Sequence, residues 1–141
     1  FQTGTLIIGA PDNGTNEGVF SFNNWYPGYS ETKSIEVKNL GSLPFKYRIK
    51  ADITANSGAD LSDVLDVVIT AGGTQIFSGT LKKLVSDGYV TNDVLTLNPN
   101  TSQPLSIYVK MQETAGNPYQ AASATVKFTF EATQTNNPGW N

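Results

Sequence analysis

From Phe45 to Ile53 apolar and polar residues alternate without a break. Phe45, Tyr47, Ile49, Ala51 and Ile53 take one face of an extended chain; Lys46, Arg48, Lys50 and Asp52 take the other. The period is two, so the stretch predicts a half-buried β-strand. Just before it, Ile35 and Val37 alternate with Ser34, Glu36 and Lys38. The short break Asn39-Leu40-Gly41-Ser42 lies between these runs. Two alternating runs around a short Gly-containing connection predict an antiparallel hairpin. Upstream, Trp25-Tyr26-Pro27-Gly28-Tyr29 reads as a turn, with Pro27 presetting φ and Gly28 supplying a positive one.

The same period recurs along the chain. Thr5–Ala10 is β-prone, with Leu6, Ile8 and Ala10 at alternate positions. Pro11–Gly18 reads as a polar loop, and Val19–Phe22 as a short strand with Phe20 and Phe22 on one face. Leu65–Thr70 and Gln75–Ser78 form a predicted hairpin around Ala71-Gly72-Gly73-Thr74. Asp60–Leu65 predicts one helical turn, and Gly79–Val85 a short helix. Leu95-Thr96-Leu97 leads into the turn Asn98-Pro99-Asn100. Leu105, Ile107, Val109 and Met111 mark another strand; Ala124, Val126, Phe128, Phe130 and Ala132 mark the last. Seven to nine strands with one or two short helices in connections predict an all-β chain. Its class is a single sandwich of jelly-roll or immunoglobulin-like type over residues 1–141. No internal repeat or long linker divides it.

Composition removes several chemistries. With no cysteine there is no disulfide framework or thiolate metal site. With no histidine the Ser-His-Asp, Cys-His and HExxH arrangements are absent, as is the commonest zinc ligand. No alternative nucleophile–base pair is visible, so the expectation is no enzyme and no cofactor. Net charge is -3, which lacks the basic footprint of a nucleic-acid partner. No apolar run approaches the roughly 20 residues of a membrane-spanning helix. Charged residues are 15% of the chain, so Thr, Asn, Ser and Gly must cover much of the surface.

Three constellations have two readings each. Asp60, Asp63 and Asp66 recur every third residue, and on a helical turn their oxygens are a calcium candidate. The competing reading is Asp60 as a helix N-cap with the other two solvated. Trp25, Tyr26 and Tyr29 are a candidate surface contact, a platform on which a sugar ring stacks; otherwise Trp25 caps the sandwich core. Thr5–Ala10 is either an ordinary edge strand or a donor. A strand at a free terminus, followed by a loop, can leave its sheet and expose an edge that a neighbour's strand fills. Asn13-Gly14-Thr15 and Asn100-Thr101-Ser102 match the glycosylation triplet.

Three ordered motifs resemble the TasA/camelysin family. The first is Trp25-x-Pro27-Gly28, then Ile35-x-Val37-x-Asn39-x-Gly41-Ser42-Leu43-Pro44, then Lys46-Tyr47. The second is the opening Phe1-Gln2-Thr3-Gly4-Thr5-Leu6. The third is Tyr119–Ala124 followed by Val126–Gln134, similar to the family's final strand. The family's usual acid after Pro-Gly is replaced by Tyr29. The resemblance implies a secreted prokaryotic protein, several relatives of which form biofilm-matrix fibres. It implies assembly by donor-strand insertion, head-to-tail, with Thr5, Leu6, Ile7, Ile8, Gly9 and Ala10 as the exchangeable strand. It implies partners that are copies of the same chain, with other matrix or cell-surface proteins as further candidates. The camelysin branch is described as metallopeptidase-like, but the missing histidines leave that chemistry without ligands. Phe1 in place of Met fits either a mature chain after signal removal or an excised fragment. A monomeric cell-surface module that binds carbohydrate or another protein is the alternative function.

Overall fold

The structure is a computed structural model that describes residues 4–8 and 14–135. Among the described residues there are nine strands: β1 Gly4–Ile8, β2 Gly14–Asn23, β3 Ser30–Asn39, β4 Phe45–Ser57, β5 Leu65–Ala71, β6 Thr74–Thr80, β7 Thr96–Leu97, β8 Ser102–Met111 and β9 Ser123–Gln134. Two short helices, α1 Leu81–Asp87 and α2 Asn117–Gln120, and a 3-10 turn Leu61–Asp63 lie in connections. One sheet has the order β1-β3-β8-β5-β6, the other β2-β9-β4-β7. The alternating residues of both sheets meet in one core. Val37, Val67, Ile107 and Val109 line it from the first, and Phe20, Phe45, Ile49, Phe128 and Phe130 from the second.

The wiring is specific. Strands β2 to β9 occupy the orders β3-β8-β5-β6 and β2-β9-β4-β7, all antiparallel. This is the eight-stranded jelly roll, two sheets wound from paired Greek keys. Strand β1 is a ninth, outside that set, and among the described residues it alone pairs in parallel.

Local chemistry explains the turns. Gly72 and Gly73 have φ of 56° and 85°, as a two-residue type I′ hairpin loop requires. Gly28 adopts φ 87° in the aromatic turn, as expected. Helix α1 is capped by Thr80, whose hydroxyl accepts from the Lys83 amide at 3.1 Å, and it buries Leu81 and Leu84.

Three expectations need correction. Strands β3 and β4 are not a hairpin: β3 pairs with β8, β4 pairs with β9 and β7, and residues 40–44 arch from one sheet to the other. Alternation is identical for a hairpin and an arch, because it reports only that each strand has one buried face. The polar stretch 11–18 is not a loop throughout: Gly14–Gly18 joins the β2–β9 ladder, and residues 11–13 lie outside the described residues. Tyr119 and Gln120 belong to α2, started by Pro118, and β9 begins only at Ser123.

Candidate functional site

The edge formed by β1 and β3 is where the jelly roll meets its extra strand. Gly4 pairs with Ile35, Leu6 with Val37 and Ile8 with Asn39. Gly9 and Ala10 of the expected donor strand lie outside the described residues. The five described residues of β1 pair with Ile35–Asn39, half of the ten of β3. Along Ser30–Ser34, β3 has β8 on one side and, among the described residues, no strand on the other. A strand at a sheet edge presents backbone donors and acceptors to pairing. Ile35 and Val37 are buried beneath it. Toward the Ser30 end the inward positions become polar. Lys33 Nζ sits 5.1 Å from the Phe20 ring centroid and 3.4 Å from Glu31, which accepts a 2.8 Å hydrogen bond from the Tyr29 hydroxyl. That bond holds the Tyr29 proton and raises its pKa.

Asn39 locks the other end of this edge, a role the sequence pattern did not reveal. It is fully buried although polar. Its Nδ2 donates to the carbonyls of Leu43 at 2.9 Å and Leu97 at 3.1 Å, and its Oδ1 accepts from the Gly41 amide at 2.8 Å. Its backbone amide donates to Thr101, and its carbonyl accepts from Asn100. One side chain thus ties the arch to β7 in the opposite sheet. An Asn two residues before a Gly in a short connection signals such a turn, but its burial depends on β7.

The aromatic turn divides. Trp25 is 5% exposed, with its ring 5.1 Å from Phe22 and 4.7 Å from Tyr29 in edge contacts. It caps the core and is withdrawn as a surface contact, because three neighbouring rings cover it better than solvent does. Tyr26 is 58% exposed and remains at the surface, 5.0 Å from Tyr29, which is half-buried against the core.

The three aspartates do not converge. Asp60 is the N-cap of the 3-10 turn, accepting from the Ser62 amide at 3.0 Å and the Ser62 hydroxyl at 2.6 Å. Chiefly through that hydroxyl its pKa is lowered. Lys82, from α1, places its ammonium 2.5 Å from Asp63 and 3.7 Å from Asp60, and its own pKa rises in response. Asp66 points elsewhere on β5 and accepts from Gln112 at 2.9 Å. The calcium candidate is therefore replaced by a cap and an ion pair. Among the described residues no group of three acidic side chains is arranged to hold a metal. Asn100 is exposed on its turn at φ 60°; Asn13, of the other glycosylation triplet, lies outside the described residues.

The outer face of the β2-β9-β4-β7 sheet carries paired charges. Arg48 donates to Glu131 at 2.6 Å across the β4–β9 ladder, and its guanidinium stacks 3.7 Å from the Tyr89 ring centroid. Alternation alone reads Arg48 as a solvated position, but the stacking and the cross-strand pair half-bury it. Among the described residues no helix is long and apolar enough to cross a membrane.

Fold and edge together define an all-β jelly-roll sandwich with one supernumerary strand. The chain matches no protein-family model, and no characterised protein matches it significantly.

Proposed function

We propose that this chain is the structural subunit of an extracellular filament, polymerising head-to-tail when β1 of one copy completes the edge of the next. One observation carries the reading: β2–β9 make a complete eight-stranded jelly roll without β1. Strand β1 lies at a sheet edge and is separated from β2 by residues 9–13, so its departure leaves the ladders of the other eight strands whole. The vacated β3 edge is then a template for the same segment of a neighbour. Insertion that does not close on itself propagates. The resemblance to fibre-forming secreted proteins points the same way, to an extracellular matrix or cell-surface location. In this reading the chain needs no cofactor and has no catalytic activity, and its first partner is itself.

Negative-stain microscopy of the full chain and of a chain lacking Phe1–Ala10 tests the proposal. Filaments are expected from the first and none from the second. Filaments of the same width and repeat from the shortened chain would show that assembly uses another surface. A second reading, a monomeric surface-binding module, is favoured by the exposed Tyr26 ring beside the half-buried Tyr29. It predicts a monodisperse 15.2 kDa species that binds glycans.

A further inference from the structure

Strand direction at the β3 edge limits how the proposed exchange can build a filament. Strand β1 runs parallel to β3 and ends beside Asn39, at the end of the sandwich that carries the 40–44 arch. Strand β2 begins at that same end, since Gly14 pairs with Ala132, which pairs with Tyr47 near the start of β4. Only residues 9–13 separate them, a tether reaching about 20 Å when extended. If a donor entered a neighbour in this parallel direction, its C-terminal end would emerge at the neighbour's arch end. The tether would then hold two arch ends together. That arrangement favours reciprocal exchange, which closes as a dimer and stops.

We infer, on the basis of the donor-strand reading, that parallel β1 is the assembly-silent, self-capped state, and that the exchanged strand enters a second copy antiparallel to β3. An antiparallel donor leaves the acceptor at its Ser30 end. The tether then sets the donor's arch end against the acceptor's opposite end, and the relation repeats from copy to copy. Two further observations agree. Antiparallel is the direction of every other strand pair in the sandwich, and it is somewhat more stable per residue than parallel. Exposed apolar side chains lie at the two ends that would meet: Leu40 and Leu43 on the arch, and Tyr26 in the turn before Ser30.

The tether also keeps the two states apart. A donor lying antiparallel on its own β3 as far as Ser30 would end about 30 Å from Asn39, beyond the reach of residues 9–13. An antiparallel pairing that runs to Ser30 is therefore available only between copies, whereas the parallel one suits a single copy or a closed dimer.

Cysteine cross-linking of full-length chains tests this, because the native chain has no cysteine. Chains carrying Thr5→Cys or Ile7→Cys are each mixed with chains carrying a cysteine at Ser30, Thr32, Ser34, Glu36 or Lys38, assembled, oxidised and mapped. In the parallel register Thr5 faces Glu36 and Ile7 faces Lys38. In filaments the order should reverse, Thr5→Cys linking to a higher-numbered β3 position than Ile7→Cys does. Intermolecular links joining 5 to 36 and 7 to 38 would overturn the antiparallel insertion while leaving strand exchange standing. Filaments with no intermolecular link at any β3 position would remove the donor-strand reading as well. A single chain carrying both Thr5→Cys and Glu36→Cys should, once oxidised in dilute solution, yield at least tenfold less filament, with recovery on reduction. Unchanged filament yield from that locked chain would show that β1 is not a cap.

Discussion

Replacing Asn39 by Ala should be among the most destabilising single changes of a polar residue in this protein. The side chain makes three hydrogen bonds while fully buried, two donated to the Leu43 and Leu97 carbonyls and one accepted from the Gly41 amide. Each bond contributes about 1 kcal/mol net, and a buried carbonyl left without a donor costs about 1–3 kcal/mol. The Leu97 bond is wholly buried and the others only partly, so the loss should total about 3–4 kcal/mol. A domain of this kind has roughly 5–15 kcal/mol in all. With a urea m-value of about 1.5–2 kcal/mol/M, the unfolding midpoint should fall by about 2 M with little change in slope. Far-UV circular dichroism against urea measures this directly. Asn39→Asp at neutral pH should lose at least as much. It keeps the acceptor for Gly41 but turns a carboxylate oxygen toward two carbonyls in a dry site. Asn39→Ala within 1 kcal/mol of the native chain, or Asn39→Asp more stable than Asn39→Ala, would refute the view that this amide holds the arch to β7.

Two other outcomes follow from the packing. Phe128→Ala, which empties a fully buried position, should cost about 3–5 kcal/mol, whereas Lys127→Ala, outward on the same strand, should stay within about 0.5 kcal/mol; the reverse order in denaturation would mean the β9 register is wrong by one residue. Burial raises the Tyr47 pKa above its ordinary 10.0, so the neutral phenol is favoured by folding. Its contribution is complete below about pH 10 and is lost as pH climbs toward the folded value, so Tyr47→Phe should flatten the alkaline fall in stability, and an equal fall in both proteins would contradict this.

The strand faces, the Gly72-Gly73 loop, the Gly28 turn and the all-β class were legible in the sequence. Each follows from local rules: a period of two for one buried face, and positive φ where a side chain is costly. Which strand lies beside which was not. The runs ending at Val37 and beginning at Phe45 fit a hairpin and an arch equally well, and only the competing ladders of β8 and β9 put them in different sheets. The candidate site divides along the same line. Apolar alternation marked Thr5–Ala10 as a strand, but its parallel direction and its place on β3 depend on a partner 31 positions away. Trp25 left the surface because Phe20 and Phe22 come from β2 to meet it, and the aspartates lost their shared face because β5 starts at Leu65 and carries Asp66 to Gln112, while Asp60 and Asp63 stay together at Lys82. Burial of a polar residue such as Asn39 is likewise decided by carbonyls from distant segments. Periodicity reports how one segment meets a solvent boundary, while pairing and satisfaction of buried polar groups are properties of segments brought together by the fold.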